Sequence, residues 1–207
     1  MKTLLLLLFI FPAEVLGNTD LFEIFSGTNN QQALDQLLPL ANQGNPEAQY
    51  YVSLLYTHGK GIENNSEKAL DYMWLAAELR EPAAVRMLAT FYFTGRNTEP
   101  NYKMAYKLYK NLAMAGDRDA QILLGALLTD EKYLKQNLRE GVAWLLTAQS
   151  TSSLEGNALN NYNKAKDSMS NVDIDKANSL SSDIIKTINR KSLTNSSSGT
   201  TKTRVAP

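Results

Sequence analysis

The chain has 207 residues, a formal net charge of zero and no cysteine. The balanced charge leaves no electrostatic footprint for nucleic acid, and no basic stripe follows any predicted helix. The missing cysteine excludes a disulfide framework, a thiol nucleophile and a thiolate metal site, while the length allows a sizeable core.

Residues 1–17 read as a signal peptide. Met1 and Lys2 supply a positive start, residues 4–11 an apolar core, and Val15, Leu16 and Gly17 a run ending small at a cleavage point. Eight apolar residues are too few for a spanning helix, which takes about 20. A mature chain is expected to begin near Gly17–Asn18, periplasmic or secreted, with no integral membrane segment after cleavage. Residues 18–28 form a lead-in, and residues 29–44 a lone capping helix that ends at Gly44 and Asn45.

From there a fixed period dominates. Asn29, Asn65, Asn101, Asn137 and Asp173 are spaced 36 apart, and Ala33, Ala69, Ala105, Gly141 and Ala177 run beside them at the same step. A period of this size signals a solenoid. Three units are expected over residues 45–153, at about 45–80, 81–116 and 117–153, each with two helices. In the first helix Ala48, Tyr51, Val52, Leu55 and Tyr56 make one stripe at helical spacing; in the second, Ala69, Tyr72, Met73, Ala76 and Ala77 do the same. Small residues let two backbones approach, and Trp74 and Trp144 read as fillers of volume at helix contacts, with ligand stacking the sharper alternative.

The punctuation agrees with the period. Asn65, Asn101 and Asn137 stand where a second helix needs an N-cap, and Asp117 does so for a first helix. Asn45 and Pro46 supply a cap followed by proline at the first helical position. Gly59, Gly61 and Gly95 lie where the first helix must stop and reverse. Residues 154–190 read as a degenerate capping pair, helical over 154–169 and 173–188, with Asp173, Lys176, Ala177 and Leu180 in register. Residues 191–207 are rich in Ser and Thr and carry Lys202 and Arg204, so a disordered basic tail is expected.

The unit running from Ala48 through Tyr56, Gly59, Gly61, Ile62, Lys68 and Ala69 to Ala76 and Ala77 resembles the Sel1-like repeat, a relative of the tetratricopeptide repeat. The second unit departs from that pattern at Asn97 and Thr98, and the third has Leu128 for Tyr and residues 129–136 in place of the glycine loop. The resemblance covers about residues 29–188. It implies an all-α, right-handed α/α solenoid of antiparallel helix pairs. It also implies a non-enzymatic adaptor for a protein or peptide partner, of the kind that serves bacterial envelope assembly, secretion, motor or host-interaction machinery.

The chemistry-bearing residues do not assemble into a catalytic pattern. His58 is the only histidine; as a base it lacks a nucleophile and an orienting carboxylate, and as a ligand a second donor. No Ser-x-x-Lys or Gly-x-x-x-x-Gly-Lys motif occurs. Asp130 with Glu131, and Asp117 with Asp119, sit at helix ends or in loops and read as caps and solvated charge, with a glycosidase pair the sharper alternative. The expectation is no catalytic residue, no cofactor and no metal, and the alternative is a hydrolase of peptidoglycan or β-lactams. A partner surface is expected on the first helices, at Tyr50, Leu54 and Thr57, at Arg86, Thr90 and Phe93, and at Ile122, Ala126 and Thr129. These positions point away from the second helix. Such a stripe reads either as a binding face with aromatic and Arg anchors or as surface buried between neighbouring units.

Overall fold

The computed structural model describes residues 20–27, 29–59 and 62–198. The expected signal segment, Gly61 and residues 199–207 of the tail lie outside the described residues. Among the described residues there are ten helices and no strand. In chain order they are α1 (Leu21–Ser26), α2 (Asn30–Asn42), α3 (Pro46–His58), α4 (Ser66–Glu78), α5 (Pro82–Thr94), α6 (Tyr102–Ala113), α7 (Arg118–Thr129), α8 (Leu138–Gln149), α9 (Gly156–Asp167) and α10 (Asn171–Ser198). None is long and apolar enough to cross a membrane.

The architecture is an all-α solenoid of antiparallel pairs. The pairs are α3/α4, α5/α6 and α7/α8, and each second helix also packs on the first helix that follows it. Local chemistry fixes each start. The side chains of Asn29, Asn65, Asn101 and Asn137 accept from the backbone amides of Gln32, Lys68, Met104 and Glu140, satisfying donors that the first turn leaves orphaned. Asn45 and Asp117 cap α3 and α7 in the same way. Glu81 caps α5 with a longer reach, to the amide of Ala83 at 3.3 Å.

The stops repeat as faithfully. Gly59 and Gly95 end α3 and α5 in the left-handed region, at φ 62° and 77°. The amides of Asn65, Asn101 and Asn137 then close the loop on the carbonyls of Tyr56, Tyr92 and Leu128. The third loop closes at this point without its glycine. The second helices end in Schellman turns, where the amides of Asn45, Glu81 and Asp117 reach back to the carbonyls of Leu40, Ala76 and Leu112. The left-handed residue there is Gly44, Arg80 or Gly116.

One core cluster runs from Leu54 on α3 to Ile184 on α10, with Phe91, Tyr109 and Trp144 among its largest fully buried side chains. A second joins α2 to α3 through Leu34, Leu37, Val52 and Leu55. The small-residue ladder sits where helices cross. Ser53 donates to the carbonyl of Ala69 at 2.6 Å, and a Cβ built on Gly125 would lie 2.5 Å from Cγ of Leu145 and 3.1 Å from the carbonyl oxygen of Gly141.

Both ends depart from expectation. The lead-in holds α1, capped by Asp20, whose Leu21, Ile24 and Phe25 lie against the α2/α3 cluster; Phe25 stacks on Tyr51 at 4.9 Å. At the other end Asp173 is not an N-cap. Ser170 takes that role, its hydroxyl donating to Asp173 and accepting from the Asp173 amide, so α10 starts three positions before the period requires. The helices α9 and α10 barely touch and do not form a pair. The apolar side of α9, Ala158, Tyr162 and the buried Ala165, is taken up against α7 and α8, which leaves α10 no apolar face there. Instead α10 runs parallel along α8, tied by Arg139 to Asp173 at 2.7 Å and by Thr147 to Ser181 at 3.1 Å. It also continues to Ser198, into the segment expected to be disordered from residue 191. Extending a nucleated helix needs only one residue fixed per added bond. Within it Ser192 and Thr194 bond back to the carbonyls of Asn189 and Lys191.

Candidate protein-binding surface

The first helices α3, α5 and α7 carry the expected stripe, and the structure divides it into three groups. Leu54 and Thr57 are buried, at 7% and 6% exposure, which removes them as direct partner contacts. Leu54 belongs to the main core cluster. Thr57 lies beneath the α5–α6 turn of the next unit, where its hydroxyl accepts from Nδ2 of Asn97 at 3.0 Å. The turn of the superhelix folds one unit over the end of the one before it.

Ile122, Ala126 and Thr129 are half-buried. Ile122 packs on the small cluster of Leu145, Ala148 and Leu154, and Thr129 donates its hydroxyl to the carbonyl of Gly125. The third group is Tyr50, Arg86, Thr90 and Phe93, of which Arg86 is exposed and the other three are half-buried, with Tyr50 and Phe93 packed against the core cluster.

Those four side chains are held in place. Tyr50 lies 5.3 Å from the ring of Tyr51, and burial, with the nearby Glu81 carboxylate, pushes its phenol up. Burial and Glu47 push the Tyr51 phenol up to about 12. Arg86 pairs through its guanidinium with the Asp117 carboxylate. Burial of Asp117 opposes ionisation, but the Arg86 guanidinium and the Ala120 amide outweigh it and hold the carboxyl below its ordinary value. One carboxylate therefore both caps α7 and anchors Arg86 of α5, so the arginine is oriented before any partner arrives. Thr90 donates to the carbonyl of Arg86 and sits 3.3 Å from the hydroxyl of Tyr109.

Phe93 belongs to a three-ring group that the period did not reveal. Tyr102 lies 6.1 Å from it edge-on, Tyr133 lies 5.0 Å away, and the two tyrosines are 5.2 Å apart. Lys132 stands over the Tyr133 ring at 5.3 Å. Tyr133 comes from the loop that replaces the glycine turn, which has no counterpart in the other units. Its aromatic residue inside a polar insert was the one available signal.

The remaining candidates stand apart from one another. His58 is the last residue of α3 and exposed. Asp130 follows α7 and accepts from the Lys132 amide. Among the described residues no group of three or more His, Asp or Glu could hold a metal ion. Trp144 is buried, with its Nε1 3.4 Å from Glu140. Trp74 is half-buried and donates to the hydroxyl of Tyr92 at 3.1 Å.

The Sel1 repeat family matches residues 46–80, 82–117 and 118–148. Among solved structures, a Sel1 repeat protein from Oxalobacter formigenes is similar at 25% identity and a TM-score of 0.53, over 63% of this chain and 97% of that one. A protective antigen present in uropathogenic Escherichia coli strains, displaying an SLR fold, is similar at 20% identity and a TM-score of 0.48. That match covers 90% of this chain, which spans about half, 48%, of the antigen's chain. No curated protein matches the sequence.

Proposed function

This chain is a Sel1 repeat protein, and on that premise we propose that it is an exported, non-catalytic scaffold whose first helices bind a protein partner in the bacterial envelope. Sel1 repeat proteins generally act as protein-interaction scaffolds. The observation that carries the reading is the set of exposed Arg86, already paired with Asp117, beside the half-buried Tyr50, Thr90 and Phe93. Aromatic and Arg side chains with restrained rotamers are the usual anchors of protein interfaces, because little freedom is lost when they are covered. The apolar residues 4–11 support the exported part of the reading.

The test is the double variant Tyr50→Ala with Phe93→Ala in the full chain. Helical circular dichroism stays at the wild-type level, while crosslinking in the native envelope no longer captures the protein that the wild type captures. Capture of the same protein by both would overturn the assignment of this face. Mass determination of the mature N-terminus after cell fractionation checks export separately, with cleavage expected near Gly17.

A further inference from the structure

Two grooves lie between second helices at equivalent positions 72 residues apart in sequence, and only the later one, which keeps a volume of about 470 Å³, has an added helix, α10, along its wall. In the later groove, between α6 and α8, the lining residues are Lys110, Met114, Glu140 and Trp144, and Leu180 and Ile184 of α10 lie against them. Thr147 at its edge is 2% exposed and bonds to Ser181 of α10. The earlier groove, between α2 and α4, has Leu38, Asn42, Lys68 and Tyr72 at the same register positions, and Leu75 where the later one has Thr147. It has a volume of about 570 Å³ and is lined by α2, α3 and α4 alone. Leu75 is 45% exposed and Leu79, one turn on, 54%.

We propose that the α2/α4 groove docks an amphipathic helix of a protein partner, one that presents two apolar side chains four residues apart as Leu180 and Ile184 do. The chain itself supplies the precedent, because the same surface two repeats later takes a helix of this description. An apolar leucine in place of the buried Thr147 makes the earlier groove the better acceptor for an apolar pair.

Its wall is already ordered. Tyr56 and Tyr72 stack at 6.3 Å, Lys68 stands over Tyr56 at 5.2 Å, and Tyr72 donates to Asn42 at 2.9 Å. Docking therefore costs little rearrangement. Charge sets the guest's flank. Asp71 lines the groove together with Lys68, and Glu67 and Glu78 stand exposed on α4 outside the lining; the three carboxylates enter no ion pair among the described residues and outnumber the single lysine, so the partner helix carries Lys or Arg beside its apolar pair. This surface belongs to the second helices and does not depend on the face that carries Tyr50 and Phe93.

The experiment uses the full chain and, as probe, a fluorescein-labelled, stapled helical peptide of residues 171–191, which holds the Leu180 and Ile184 pair together with Lys176 and Lys186. Saturable anisotropy is expected with the wild type. Leu75→Glu weakens it by about tenfold or more with the circular dichroism unchanged, and a peptide carrying Leu180→Asp and Ile184→Asp does not bind. Absence of saturable binding to the wild type overturns the proposal. So does binding indifferent to Leu75→Glu, which would mean that the peptide has exchanged with the chain's own α10. A concentration-dependent dimer in sedimentation, lost in Leu75→Glu, would assign the face to a second copy instead and overturn it as well.

Discussion

At the scale of single residues, the ladder positions show how much a repeat can vary before its backbone must move. Positions 53, 89 and 125 hold Ser, Ala and Gly, and positions 69, 105 and 141 hold Ala, Ala and Gly. The glycines of the last pair are therefore not interchangeable with their counterparts. A methyl on Gly125 meets Leu145, and one on Gly141 meets Cγ2 of Thr129 at 2.7 Å. Gly125→Ala is expected to lower stability by about 1–2 kcal/mol in thermal melts, because overpacking exceeds the roughly 1 kcal/mol that Ala gains in helix propensity. Asp117 gives a pH signature. Its carboxyl is held below the ordinary value, so the stability it adds is present above the unfolded value of about 3.9 and is lost as pH falls through the folded value. Asp117→Asn should flatten that acid limb when melting temperature is followed downward from pH 6, and it should also free Arg86. These residues were readable in the sequence for different reasons. The caps at Asn65, Asn101 and Asn137 were legible because a cap is decided within four residues. The burial of Leu54 and Thr57 was one of two open readings, undecided because it depends on how far each unit rotates over the last.

At the scale of elements, the C-terminal pair shows where a periodic reading fails. Asp173 and Ala177 keep the 36-residue step, yet a period fixes positions without fixing partners. The competing signal was local. Ser170, three residues before Asp173, forms a reciprocal cap and starts the helix early. With the apolar side of α9 already turned to α7 and α8, α8 was the surface available to Ala177, Ser181 and Ile184. The short α1 escaped notice for the opposite reason, since six residues carry too few turns for a helical period to show. Because α10 leans chiefly on α8, a charge at its contact should release it without unfolding the repeats. Ile184→Asp is expected to leave the main thermal transition within a few degrees of wild type. Limited proteolysis of the same variant should cut between residues 171 and 198 much faster than in the wild type.

At the scale of the whole molecule, the repeats present two kinds of surface. The first helices offer a few anchored aromatic and Arg side chains, and the second helices offer grooves that a helix can fill. Stability in such an array is close to a sum of unit and neighbour terms, so protection is set by position along the chain. Amide exchange should be slowest in α7 and α8, which cross through Gly125 and Gly141 and whose residues Leu124, Leu127, Val142 and Leu145 are fully buried. It should be fastest in the six-residue α1, which buries no residue, and faster in α9 than in the three repeat pairs. A uniform exchange rate across all helices would contradict this ordering.

Every substantial packing contact joins helices one or two apart in chain order. Loops closed during folding are therefore short, contact order is low, and the entropy of chain closure is recovered at once by local packing. No early segment has to wait for a distant later one, so a chain emerging N-terminus first from a ribosome or a translocation pore can fold in the order in which it appears.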